Sequence, residues 1–418
     1  MFKTNTIYSG DCLFVLKHDF PPNSVDLIYL DPPFFTGKIQ KGEWSPGAME
    51  VSFEDSREFW RSKRYEHAPD WMKHIGVKRP DFASYLYYMQ QRLEACKRVL
   101  KNTGSIWLHC DYRASHYLKM VMDEVFSENN FRNEIAWIYT RPGTKHQKQF
   151  PATHETLFWY SQGEPWTFNV DDIRIPYAKG TFERGRYSVA TSKVTKGIEK
   201  RVLPKKGKCP ETWWHIPLIQ GNARERLGYP TQKPETLLER IVKVSSNSMD
   251  VVLDPFCGCG TAVVVAHRLG RRWVGIDISP KACFVMKERF RTQLGFDPPV
   301  ISRNLDEVMK LKENEFEAWV NDYYNATKPS PDLGVDGITK EGIPIQTKAL
   351  ATPVSYDIID AFLTATKYHP EVPKPVSKMV VVSQSGFDEK ARARVFKVEK
   401  TENIKIELIE PKDLIKED

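Results

Sequence analysis

The stretch VDLIYLDPPFF, residues 25–35, restricts the possible fold more than any other part of the chain. Its apolar run, 27–30, reads as a buried parallel strand. The strand stops abruptly at Asp31-Pro32-Pro33-Phe34. Two prolines end the sheet and remove N–H donors, so the Pro32 carbonyl points outward with no neighbouring donor. A carboxylate, a free carbonyl and an exposed aromatic at a strand's C-terminal end suit a planar ring that carries an amino group. The ring stacks on Phe34, while Asp31 and the Pro32 carbonyl accept its two N–H bonds. An ordinary strand-terminating turn accounts for the same four residues equally well.

With 418 residues the chain exceeds one small domain, and two or three are expected. Apolar residues at 41% and aromatics at 12% allow sizeable cores. No apolar run is long enough to span a bilayer, and the N-terminal MFKTNTIYSGD lacks the apolar stretch of a signal peptide. Seven cysteines without framework spacing point to a reduced, cytoplasmic protein. Cys257-Gly258-Cys259 has no second pair at ligand spacing, so zinc is not expected. The net charge of +7 permits a nucleic-acid partner without demanding one.

Residues 5–10 read as a short strand leading into Gly10-Asp11, followed by a helix at 13–18 and then the strand before Asp31. This β-α-β unit would place Asp11 and Asp31 at the ends of adjacent strands, where open α/β sheets bind ligands. Taken alone, Asp11 reads as a helix cap. The polar and aromatic segment 36–80, with Trp44, Phe53, Trp60, Tyr65 and Trp71, reads as a substrate-facing loop that orders on binding, or else as a packed insertion. A helix is predicted at 82–100, a strand at 105–110, a helix at 114–126, and strands at 134–139 and 155–160. His109 reads as a satisfied core histidine. Between 162 and 228 periodicity fades, and Arg174, Tyr177, Lys179, Arg184, Arg186, Tyr187, Lys196, Lys200, Arg201, Lys205, Lys206 and Lys208 precede Trp213-Trp214. Cations interleaved with aromatics suit a nucleic-acid surface.

DVVLDPFCGCG, residues 250–260, reads as a buried strand and a glycine-rich turn, and 261–269 as a small-residue helix. Gly258 and Gly260 let backbone N–H groups approach a ligand, and the helix N-terminus favours its carboxylate. The strand at 272–278 carries Asp277 where a nucleotide-type unit would bind a ribose diol. A dinucleotide site competes, but Gly260 is followed by Thr261 and Ala262, so G-x-G-x-x-G is not completed. An acidic residue before the turn fits a nucleoside with an amino-acid tail.

On these residues the chain resembles the amino-directed DNA methyltransferases, which use S-adenosylmethionine (AdoMet). Asp31-Pro32-Pro33-Phe34 matches their catalytic (D/N/S)-PP-(Y/F/W), and DPFCGCGT their cofactor motif. The order, catalytic motif first, resembles the β group. SGDCLFVL, LHCDYRASHYL and GYPTQKPETLLERIV extend the likeness over 5–295. The resemblance implies a Rossmann-like AdoMet-dependent α/β fold with permuted motifs. It implies catalysis by Asp31, Pro32, Pro33 and Phe34, and cofactor binding by Asp11, Thr231, Lys233, Asp254, Phe256, Gly258, Gly260, Thr261 and Asp277. Thr231-Gln232-Lys233-Pro234 lies near the methionine end of the cofactor in that family. It further implies double-stranded DNA as partner, no membrane, and admits a homodimer. DPP rather than SPP favours N6-adenine over N4-cytosine, and Phe34 in place of the commoner Tyr keeps the stacking. The implied divisions are 1–161 for the catalytic half, 162–228 for target recognition and 229–297 for the AdoMet half.

A junction at 298–311 precedes a helix at 313–323 that contains Glu317. Two strands then flank Glu341-Gly342 and bring Asp336 close to Gln346 and Lys348. The acidic group and polar acceptor can hold a divalent cation, and Lys348 can stabilise charge on a phosphate. Residues 312–418 resemble the small α/β Mrr-type restriction-endonuclease-like domains, with D…Q-x-K in place of D…(D/E)-x-K. That resemblance implies Glu317, Asp336, Gln346 and Lys348 as nuclease residues and Mg2+ at Asp336. A domain that only grips DNA, a single-chain restriction-modification enzyme, an N4-cytosine methyltransferase and an inactive DNA-binding scaffold are the competing readings.

Overall fold

In the computed structural model the described residues are 3–44, 49–141, 148–177, 204, 206–324 and 326–415. They form two compact units, a larger one of residues 2–7 and 16–299 and a smaller one of 8–15 and 300–418.

The larger unit is built on a sheet of β1 (Thr6–Ser9), β2 (Val25–Leu30), β5 (Leu100–Cys110), β6 (Phe131–Ile138), β7 (His154–Ser161), β8 (Trp213–His215), β9 (Val251–Asp254) and β10 (Arg272–Asp277), while β3 (Gln40–Trp44) and β4 (Met49–Phe53) make a separate hairpin. The spatial order is β1-β10-β9-β2-β5-β7-β6-β8. Strands β10, β9, β2 and β5 run parallel; β7 is antiparallel to both of its neighbours, β5 and β6, so β6 runs in the same direction as β5. All four residues of β9 and five of the six in β2 are buried, as expected of parallel strands covered on both faces. Two strands separate β1 from β2, so Asp11 and Asp31 do not end adjacent strands. That expectation failed because it placed sequential strands side by side; here the late strands β9 and β10 fill the gap.

The helices are α1 (Cys12–Asp19), α2 (Arg57–Ser62), α3 (Asp70–Gly76), α4 (Pro80–Val99), α5 (Ser115–Phe126), α6 (Glu235–Ser245), α7 (Thr261–Arg268), α8 (Pro280–Leu294), α9 (Leu305–Val308), α10 (Glu313–Tyr323), α11 (Tyr356–Tyr368) and α12 (Glu389–Glu402). Helix α8 shows why such segments start and stop where they do. Ser279 Oγ accepts from Ala282 N, Pro280 occupies the first turn, and Gly295 closes the end at φ +63°. In the core, Trp107 stacks on Trp159 with centroids 5.1 Å apart. Their indole N–H groups are satisfied by Ser245 Oγ (2.9 Å) and Ser105 Oγ (3.1 Å), which lets two large polar-tipped rings stay buried.

Segment 36–80 is a packed insertion and not a loop awaiting substrate. It contains the β3-β4 hairpin and helices α2 and α3, which pack on α4, and Trp60 is fully buried. Much of the basic stretch, including Lys179, Arg184, Arg186, Tyr187, Lys196, Lys200, Arg201 and Lys205, lies outside the described residues. Trp214, expected to be free for stacking on nucleic acid, is buried in β8 with Arg240 5.0 Å from its ring; Trp213 is exposed. No helix among the described residues is long and apolar enough to cross a membrane.

The smaller unit contains a sheet of β12 (Gly337–Ile338), β13 (Pro344–Lys348), β14 (Lys378–Ser383) and β15 (Lys405–Ile409), in that order, with β12 antiparallel and the others parallel. The stretch 298–311 is more than a bare junction. It carries β11 (Val300–Ser302) and α9, and Arg303 N donates to the Ser9 carbonyl at 2.5 Å.

Candidate active site at the strand ends

Register places the first residues of the site. Strand β2 lies between β9 and β5, with Ile28 opposite Leu253 and Leu30 opposite Leu108. Asp31 therefore emerges beside His109, and Asp254 ends the strand on its other side. On β7, Leu157 pairs with His109, so Glu155 lies two residues further toward the same end. The chain leaves the sheet centre on one side and returns on the other, a switch point at which open α/β sheets form a crevice.

Four ionisable side chains converge there. Lys233 Nζ is 3.0 Å from Asp31 Oδ2 and 3.8 Å from Glu155 Oε2. His109 Nε2 is 2.9 Å from Glu155 Oε2, out of the line a hydrogen bond takes, and its Nδ1 is 3.8 Å from Asp31 Oδ1. Burial, reinforced by Asp31, pushes the Tyr29 phenol far up, so it stays protonated and can donate to His109 Nδ1 at 2.9 Å. The ring proton of a neutral His109 then sits on Nε2, facing Glu155. Burial works to raise the carboxyl of Glu155, but Lys233 and His109 hold it down at about 2. Lys233 is raised despite burial by Asp31 and Glu155, so both groups are charged at neutral pH. Phe34 stands against this cluster, its centroid 5.5 Å from the His109 ring and 4.8 Å from Lys233 Nζ. Tyr85 donates to the Pro33 carbonyl at 2.9 Å and ties the turn to α4.

Beside it, β9 leads into the glycine turn. Asp254 is 3% exposed; its carboxyl is pushed well up by burial and Oδ1 accepts from Phe256 N at 3.1 Å. Asp277 accepts from Gly258 N and Ser279 N, both at 2.8 Å, and burial raises it to about 6. Gly258 sits at φ +51°, and a Cβ there would approach the Tyr229 ring to 3.0 Å. Thr261 faces inward, where its Oγ1 accepts from Arg289 at 3.2 Å, and Arg289 pairs with Glu235 at 2.7 Å. The Thr231 side chain is exposed, at φ +59°, with its carbonyl 3.4 Å from Lys233 Nζ. The structure thus brings together Asp31, Phe34 and Lys233, and separately Asp254, Phe256, Gly258 and Asp277. Asp11, counted with the smaller unit, caps the first turn of α1 by accepting from Leu13 N at 2.7 Å.

The profile of the DNA methylase family, covering N6- and N4-directed enzymes, matches residues 25–288, well over half the chain. The chain belongs to this DNA methylase family. Among its relatives is the type II methyltransferase M.HinfI of Haemophilus influenzae, 31% identical over 297 residues, covering 69% of this chain and 68% of that one. The DNA adenine methyltransferase YhdJ of Escherichia coli (strain K12) is 29% identical over 282 residues, 66% of this chain and 79% of its own. Among solved structures, the cytosine-N4-specific PvuII DNA methyltransferase overlaps 78% of this chain and 93% of its own at 17% identity and a TM-score of 0.46. The M1.HpyAVI–SAM complex overlaps 68% and 98% at 18% identity and a TM-score of 0.40.

The smaller unit of this DNA methylase lies beyond the family match. Asp336 Oδ2 accepts from Gln346 Nε2, Thr347 N (2.7 Å) and Thr347 Oγ1 (2.9 Å), so Asp336 and Gln346 do meet across the hairpin. Glu317 pairs with Lys328 at 2.7 Å. Among the described residues no group of three or more His, Cys, Asp or Glu side chains is placed to hold a metal ion. Within the methylase site, the sequence reading missed Glu155 and passed over His109. The usable signal was position: each stands near the end of a strand that points at the Asp31 turn.

Proposed function

We propose that this DNA methylase transfers a methyl group from S-adenosylmethionine to the exocyclic amino group of a flipped base, adenine N6 in preference to cytosine N4. The carrying observation is the adjacency of Asp31, just past the end of β2, to the acidic, glycine-turned end of β9. The residues present suit the cofactor: Asp277 for ribose hydroxyls, the Gly258–Gly260 backbone for close approach, and Asp254 for a cationic amino-acid tail. When bound, the cofactor supplies an electrophilic methyl on a positively charged sulfur.

Everything else is positioning by the chain. An exocyclic amino nitrogen is a poor nucleophile because its lone pair is delocalised into the ring. Asp31 and the Pro32 carbonyl accept hydrogen bonds from its two N–H groups and favour a pyramidal nitrogen, whose lone pair then points away from both. That lone pair would take the methyl supplied by the bound cofactor, whose sulfur would keep the bond's electron pair, and Asp31 would guide one proton from the nitrogen to solvent. Flipping costs a few kcal/mol, offset by stacking on Phe34 and by phosphate contacts. Asp31→Ala should abolish methylation of duplex DNA while calorimetric AdoMet binding largely survives. Wild-type turnover by that variant would overturn the assignment. Sequencing that reports modified bases in DNA from expressing cells identifies the base and the site; N4-methylcytosine would overturn the adenine assignment.

A second reading concerns the smaller unit and rests on the Gln346–Asp336 contact. It makes 312–418 an Mrr-type domain in which Asp336 and Gln346 would hold Mg2+ and Lys348 would face a phosphate, so that one chain would both cleave and protect DNA. Unmethylated and methylated duplexes are incubated with Mg2+ and either the wild type or Lys348→Ala. Cutting that depends on Lys348 supports this reading; its absence on every methylation state reduces the unit to DNA binding.

A further inference from the structure

We propose that Glu155 is a positioning residue of the transfer reaction. By sharing the pull of the Lys233 ammonium with Asp31, it keeps a net negative charge beside the reacting nitrogen. The inference rests on the transfer reading above and deepens it.

Asp31, Lys233, Glu155 and His109 close a ring of contacts, with Lys233 bridging the two carboxylates at 3.0 and 3.8 Å. From outside the ring, Tyr139 Oη donates to Glu155 Oε1 at 3.1 Å. Side-chain exposure is 0% for His109, 8% for Lys233 and 14% for Glu155, so water screens these charges little. A buried lysine paired with Asp31 alone would form a neutral pair. Its ammonium would then draw on the carboxylate lone pairs needed by the amino protons of the base. A second carboxylate offsets that charge: Lys233 stays at hydrogen-bond distance from Asp31 Oδ2, 3.0 Å, while Glu155 Oε2 draws on the same ammonium from 3.8 Å. The two carboxylates and the one ammonium leave one uncompensated negative charge. That charge favours the sulfonium form of the methyl donor over its neutral thioether product, and it favours the positive charge that develops on the amino nitrogen. A buried carboxylate that only tied β7 to its neighbours would not distinguish the two ligands.

Glu155→Gln preserves shape and removes the charge. Affinities for S-adenosylmethionine and S-adenosylhomocysteine are measured by calorimetry, and single-turnover methylation is followed on unmethylated genomic DNA. The preference for the sulfonium ligand over the thioether should fall about tenfold. The transfer rate should fall about 30-fold with little change in KM for DNA. Equal losses for both ligands, or an unchanged transfer rate, overturns the inference. If Glu155→Gln does not fold, Tyr139→Phe removes the donor to Oε1, together with the oxygen that accepts from Arg141 at 3.2 Å; it should move the ligand preference about threefold in the same direction, and no movement overturns the inference. A wild-type protein that binds neither ligand instead overturns the transfer reading itself, and the inference with it.

Discussion

Phe34 occupies an unusual position for an aromatic side chain. It is half-exposed at a strand end, flanked by a buried imidazole and a buried ammonium. A ring held this way loses little freedom when a base stacks on it, and base–aromatic stacking contributes about 1–3 kcal/mol. Phe34→Ala should therefore cut kcat/KM by roughly 5- to 150-fold, while Phe34→Tyr stays near wild type. With 2-aminopurine at the target position, the alanine variant should also lose most of the fluorescence rise that reports a flipped base. Asp31 and Phe34 were legible in the sequence because their chemistry is local: a strand, two prolines and a ring within four residues. His109 and Glu155 were not. Their roles depend on which residues of β5 and β7 pair, and a one-residue slip would turn both side chains to the other face.

Asp55 shows how a short element is held against the Asp31 turn. It is fully buried and accepts from Thr36 N (2.7 Å), Thr36 Oγ1 (2.6 Å) and Trp60 Nε1 (2.9 Å). The chain just past Phe34 is thereby fastened to α2, while Phe35 takes φ +56° to make the bend. Asp55→Ala leaves the buried Trp60 indole N–H and the half-exposed Thr36 N–H without their acceptor and should destabilise the larger unit by roughly 2 kcal/mol. A differential-scanning melt should show the loss, and transfer should slow because the Phe34 turn loosens. A variant with unchanged melting and rate would show that the staple is idle. The parallel strands and the long helices were readable from apolar runs and helical spacing. The β3-β4 hairpin was not, since QKGEW carries a single apolar residue, Trp44, and leaves the alternating MEVSF without a visible partner. Its order comes from tertiary packing, with Trp44 against Phe284 at 5.8 Å and Val51 beside Leu227.

At the scale of the whole molecule, an α/β architecture with a second small unit was legible from the alternation of strands, helices and turns. Strand order was less so. Nothing local in 5–30 announces that β9 and β10 will separate β1 from β2, because that order follows from crossovers completed more than two hundred residues later. The same arrangement governs how the protein must be made. Strand β2 acquires one parallel neighbour, β5, early in synthesis, but its other neighbour, β9, begins only at Val251. Until the ribosome reaches that point, the apolar edge of β2 is open and the Asp31 turn has no cofactor half beside it. Such an edge is prone to pair with other chains, and long-range parallel pairing is slow. A nascent chain of this methylase therefore lacks the cofactor half of its site until β9 has emerged, and its need for chaperone cover is greatest during that interval.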